Sequence, residues 1–259
     1  MNSWTIAIVS FACMFFGSLI ALLVARVLPE RHVSKDTQDV VKLGVGMIAA
    51  MASLILGLMT ASVKGGYDST DKDLHQYALH IIALDSSLRH YGPAAVGARA
   101  LVNDYTKTII RETWPDAKDT PSPSGTDSSG QLLLKLDTAI RALSPTTEDQ
   151  RELRQEAIAR LNSIVITRWT VTEEGVTAIP FVFIVVLIVW LSLIFASFGL
   201  FAPGNAVVVL AMFLCSLSIS GALFLIVEMG GPFDGVIQLQ PTPLLDALKY
   251  MPQTSLLMQ

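Results

Sequence analysis

Histidines, cysteines and acidic residues are where catalytic or metal chemistry would begin, and in this chain they do not converge. The four histidines are His32, His75, His80 and His90. His75 and His80 are five apart, off the face that an i, i+4 pair would share on a helix, so each histidine reads as solvated surface. Cys13 and Cys215 fall in long apolar stretches and read as small apolar core residues, not as a disulfide or metal pair. There is no Gly-rich phosphate loop, nucleophile elbow or HExxH. No enzymatic activity, metal or cofactor is expected. A net charge of −4 with interspersed signs leaves no basic patch for nucleic acid.

What remains is chemistry of packing and wetting. Between Lys42 and Lys64 no charged residue occurs, and Gly46, Ala50, Ser53, Gly57 and Ala61 recur every three or four residues. Small residues at that spacing let helix backbones approach closely in lipid. Opposite them, Met47, Met51, Leu54 and Leu58 are expected to form an apolar stripe. Such a stripe could line a pore, where an apolar constriction controls ions by dewetting. It could equally be the lipid-facing side of an ordinarily packed helix. Gly17, Ala21 and Ala25 make a similar small face earlier in the chain, and Ser216, Ser218 and Ser220 a polar one later. Hydroxyls of that kind usually bond back to their own helix. No ionisable residue lies at mid-depth in any apolar stretch, whereas a proton-coupled transporter would need one.

The elements that carry these residues follow from charge distribution. Of 259 residues, 52% are hydrophobic and 15% charged, against ~25% charged in soluble domains. Residues 1–25, the interval 43–63 and the interval 175–227 hold no charge, while 13 of the 18 basic residues lie from Lys64 to Arg168. A bilayer core of ~30 Å takes about 20 apolar residues in helix. Four spans are expected: Trp4 to Val27, Val41 to Val63, Val176 to Phe201 and Ala206 to Val227, the last two separated by the turn residues 201–205. The first apolar run exceeds a leader's short centre and has no basic start, so it is expected to stay as a span. The fold class is thus an all-α membrane protein with two plus two spans around an extramembrane helical insert. Segments are expected at 1–63, 64–175, 176–227 and 228–259, the last an amphipathic tail.

Within the insert, Leu74, Tyr77, Ile81, Leu84 and Leu88 keep helical spacing up to the break at Gly92-Pro93. This helix should continue the second span, with a bend at Gly65-Gly66. Another helix runs to about Trp114, and residues 115–130 read as a flexible loop. Helix resumes over 131–143. Ser144-Pro145 then signals a new start, and one helix is expected from Thr146 to Ile179, kinked at Pro180. Basic residues near span ends are balanced between the two sides: Arg26, Arg31, Lys35 and Lys42 against Lys64, Lys72, Arg160 and Arg168. The cluster in the first loop pulls that loop toward the cytoplasm.

After the fourth span, the run EMGGPFDGVIQLQPTPLLDALK holds Glu228, Pro232, Phe233, Asp234 and Gly235, then an alternating stretch and a short amphipathic helix. This segment resembles the end of the bestrophin-like family of bacterial membrane proteins. Leu56-Gly57-Leu58 through Tyr67-Asp68 is similar to the family's exit from the second span. The resemblance implies an oligomeric membrane protein of the bacterial inner membrane, with five subunits and with insert and termini cytoplasmic, against the pull of the first loop's charges. By similarity to bestrophins proper it implies an anion-selective channel with an apolar neck on the second membrane helix. Those channels carry an acidic calcium-binding run after a Pro-Phe-Gly segment. Here only Asp234 is acidic there, so calcium activation is not implied. The alternative is a non-conducting scaffold or accessory subunit of a larger membrane complex.

Overall fold

Charge-free stretches of this length have one way to satisfy their backbone in lipid, by internal helical hydrogen bonds. The structure, a computed structural model, describes residues 2–27, 35–115, 125–171 and 179–251. Among these the secondary structure is helical throughout: α1 (Ser3–Ala25), α2 (Lys35–Tyr91), α3 (Val96–Thr113), α4 (Ser129–Arg141), α5 (Glu148–Trp169), α6 (Phe181–Phe201), α7 (Ala206–Met229) and α8 (Thr242–Tyr250). By length and composition α1, α2, α6 and α7 can each cross a membrane. His32, most of the expected loop (116–124), the stretch 172–178 and the end of the tail (252–259) lie outside the described residues.

The chain divides into two compact units, Met1–Tyr67 with Thr177–Ile237, and Asp68–Val176 with Gln238–Gln259. In the first, α1 packs along α6 and α7. Its inward face is Ile6, Ser10, Met14, Ser18 and Leu22. The closest approach is at Gly199 of α6, where an added Cβ would run into the Ser18 carbonyl of α1. The small face expected at Gly17 is therefore one residue out of phase: a Cβ on Gly17 would meet nothing. Ser10, Ser18, Ser216 and Ser220 are buried, and each donates its hydroxyl to a carbonyl of its own helix. Such a bond lets a polar side chain sit in an apolar interface. Gly199→Leu should cost about 3 kcal/mol or more, because backbone cannot step aside as a side chain can. The check is thermal unfolding in detergent, with Gly17→Leu near wild type as the control.

The second unit is built on the expected stripe. Leu74, Tyr77, Ile81, Leu84 and Leu88 of α2 are all at most 2% exposed. Val102, Leu136, Ala157, Leu161 and Ile164 of α3, α4 and α5 are buried in the same unit. The Tyr77 and Tyr105 hydroxyls are hydrogen-bonded to each other. Burial pushes Tyr105 up to about 12 and holds Tyr77 well above the ordinary tyrosine value. Buried Asp85 accepts from Arg99 Nε at 2.8 Å and from Arg89 at 2.9 Å, so its charge is paired on both oxygens. Trp114 donates Nε1–H to the Leu239 carbonyl at 2.7 Å, fixing the start of the tail, and α8 then packs on α3.

Several expected boundaries shift. α2 stays helical through Gly65-Gly66 as one 57-residue helix. α4 begins at Ser129, capped by Ser128 in a capping box with Gln131. α5 starts not at Ser144-Pro145 but at Glu148, where Thr147 accepts from the Gln150 N–H and Glu148 and Asp149 face the positive end of the helix dipole. The helix expected to reach Ile179 does not: Ile179 is non-helical, and Pro180 is the N-cap of α6 instead of a kink within it. The clash of a proline ring with the preceding residue removes Ile179 from helical geometry.

Candidate pore helix and post-helix turn

Three of the four apolar helices cover one another, and the fourth is left bare. In its most apolar 18-residue stretch α2 has only 6% of residues buried, against 28% for α1, 28% for α6 and 22% for α7. What holds it is one face. Ala52 belongs to a cluster with Met14, Leu187, Leu191 and Leu223, and Val45, Ile48, Ala49, Ile55, Leu56 and Met59 pack around it.

The remaining arc of α2 carries both sets of singled-out residues. Met47, Met51, Leu54 and Leu58 are 68%, 56%, 61% and 63% exposed. Gly46, Ala50, Ser53, Gly57 and Ala61 are exposed as well, and a Cβ on Gly46 or Gly57 would meet nothing within 4 Å. At ~100° per residue the two stripes are centred about 90° apart. They are neighbours on one arc, not opposite faces as expected, and it is the packed Ala52 face that lies opposite both. Among the described residues the small stripe is thus not packed against a helix of its own chain, and only Gly46 borders the groove beside α6 and α7. The Met/Leu stripe extends over 11 residues, a rise of roughly 16 Å.

The segment after α7 folds back onto the helix end. Gly230 caps α7. The Asp234 N–H donates to the Gly231 carbonyl at 3.2 Å, closing a turn that holds Pro232 buried and Phe233 half-buried, with Asp234 itself exposed. Glu228, 5% exposed, accepts the Val236 N–H through its carboxylate. Gly235 lies between them at φ +85°, and a Cβ there would strike the Glu228 carboxylate. The alternating stretch that follows is non-helical and forms no strand: Val236 gives its N–H to a side chain, not to a ladder. Gly235→Ala should cost about 1–3 kcal/mol, from left-handed backbone strain and from displacement of Glu228. Asp234→Ala should stay within about 0.5 kcal/mol. Thermal melts of the two variants in one detergent check the contrast.

No chemistry-bearing cluster accompanies these features. Among the described residues no group of His, Cys, Asp and Glu could hold a metal ion. The Ser18–Gly199 approach and the Glu228–Val236 bond escape sequence reading for different reasons. The first joins helices far apart in sequence. The second had a signal, a glycine seven residues after an acidic residue at a helix end, that spacing rules do not interpret.

The bestrophin-like domain family model matches residues 12–244. No curated protein matches the sequence. Among solved structures, a bacterial bestrophin homologue from Klebsiella pneumoniae with a tryptophan-to-alanine mutation superposes with a TM-score of 0.71 at 12% identity, covering 97% of each chain. Another structure of that Klebsiella pneumoniae homologue gives 0.64 at 12% identity, covering 91% of this chain and 96% of that one. A membrane protein with a proline-to-alanine mutation gives 0.66 at 13% identity, covering 95% and 99%. At these identities the likeness is one of fold.

Proposed function

This chain belongs to the bestrophin-like family, and from that premise we propose that it is a channel-forming membrane protein whose homo-oligomer passes anions through an apolar constriction made by α2. The observation that carries the proposal is the bare arc of α2. A helix meant only to face lipid has no use for a stripe of small residues, whereas a helix packed around a symmetry axis has use for both stripes. The small one admits the neighbouring α2, and the Met/Leu one, next to it, faces the axis. A ring of such side chains narrower than a hydrated ion expels water and blocks passage until it widens. The apolar spans, free of ionisable groups at mid-depth, suit a dewetting gate better than a proton relay.

The family further suggests five subunits, a bacterial inner-membrane location, and an insert and termini on the cytoplasmic side. Chloride efflux from proteoliposomes tests the proposal. Protein-dependent efflux that scales with oligomer content supports it. An oligomer that releases no ion would instead be a membrane scaffold, the reading that the same small stripe would serve by packing against another protein.

A further inference from the structure

We propose that the groove between α2, α6 and α7 binds one acyl chain of an anionic phospholipid, with the headgroup held at Lys42. The groove is open along its length and has a volume of about 630 Å³. Its floor is made by small residues, Ala49 and Ala211, and its wall by Phe195, Phe198 and Phe201. Among the described residues Lys42 is the only charged one lining it. That lysine is exposed, has no ion pair among the described residues, and borders the charge-free stretch of α2, which places it at the membrane edge.

Depth points to lipid. Along α2 the lining runs from Lys42 to Ala49 and along α7 from Val208 to Cys215, a helical rise of ~10 Å in each case. That is about two thirds of one leaflet's hydrocarbon, itself half of the ~30 Å core. Aromatic rings and methyl groups offer a chain dispersion contacts but no hydrogen bonds, so the apolar part alone would not select a headgroup. Lys42 supplies the selection: a cation at the interface favours an anionic headgroup over a zwitterionic one. The groove flanks α2 on the side away from the methionine stripe and touches the small stripe only at Gly46, so lipid there would brace α2 against α6 and α7 without entering the Met/Leu stripe proposed to line a pore. The inference does not depend on conduction.

Dioleoyl-phosphatidylglycerol titrated into delipidated, purified oligomer and followed by native mass spectrometry tests it, with dioleoyl-phosphatidylcholine for comparison. Saturable binding that is tighter for phosphatidylglycerol is expected. Lys42→Gln should weaken phosphatidylglycerol about fivefold, the worth of one interfacial cation, and leave phosphatidylcholine unchanged. Lys42→Arg should behave as wild type. Ala211→Phe, which fills the groove from an exposed position, should abolish binding of both lipids with oligomer mass unchanged. Should Ala211→Phe fail to fold, the Lys42→Gln comparison decides alone, since that side chain is exposed. Phosphatidylglycerol binding equal to wild type in Lys42→Gln overturns the proposal. So does an Ala211→Phe variant that keeps its lipid but changes oligomer mass, which would make a second copy the occupant.

Discussion

Leu58→Ala should raise the open current of the channel about tenfold or leave it unable to close, and Met51→Ala should act in the same direction. Both side chains stand on the exposed stripe of α2, more than half accessible in the single chain. If they ring an axis, each copy of the helix adds its side chain to the barrier. A tenfold rise needs only about 1.4 kcal/mol off the barrier, less than the ~2 kcal/mol of apolar transfer energy carried by one leucine side chain. A ring multiplies that by the number of subunits. The competing arrangement, in which the stripe faces lipid, gives no change in current from either substitution. Planar-bilayer recording of the two variants beside wild type separates the cases, and unchanged currents in both would remove α2 from the pore.

Gly57→Leu should dissociate the oligomer while sparing the fold of the chain. Among the described residues nothing lies within 4 Å of a Cβ at Gly57, so a larger side chain starts into open space on its own subunit. Its cost falls wholly on a neighbouring helix that needs the glycine to come close, and separating packed backbones in lipid forfeits the dispersion contacts that hold them. Native mass spectrometry in mild detergent should show loss of the assembled species, with a helical circular dichroism spectrum like that of wild type. The contrast with Gly199→Leu is informative, because there the obstruction is the Ser18 backbone within the same chain and folding itself suffers. An intact Gly57→Leu oligomer would mean that the small stripe does not form the subunit contact.

How much of this was legible in the residues differs by element. The spans were, since charge-free length is a one-dimensional signal: α1 and α7 begin and end within two residues of the expected limits. So was the buried face of α2 beyond the membrane, where Leu74, Tyr77, Ile81, Leu84 and Leu88 alternate with polar residues. Within the membrane that contrast vanishes. In α2 the Ala52 face and the Met51 face are both apolar, so periodicity does not say which one the chain covers, and the small and Met/Leu stripes are neighbours where a two-sided helix would set them opposite. Small residues have the same ambiguity: Gly17 and Ser18 are both small, and only the crossing with α6 selects Ser18. Helix starts follow the capping side chain and not the proline. Ser144-Pro145 has the composition of a start, but Thr147 with Gln150, like Ser128 with Gln131, carries the Ser/Thr-x-x-Gln pattern that satisfies free N–H groups. The turn after α7 was recognisable as ordered, yet that Glu228 takes the Val236 N–H follows only from Gly235 adopting positive φ.

Current through purified wild-type protein in a planar bilayer under a potassium chloride gradient tests the central claim most directly. A protein-dependent current whose reversal potential lies near the chloride equilibrium value is the expected result. An assembled, correctly folded oligomer that passes no current under any ionic condition would contradict it.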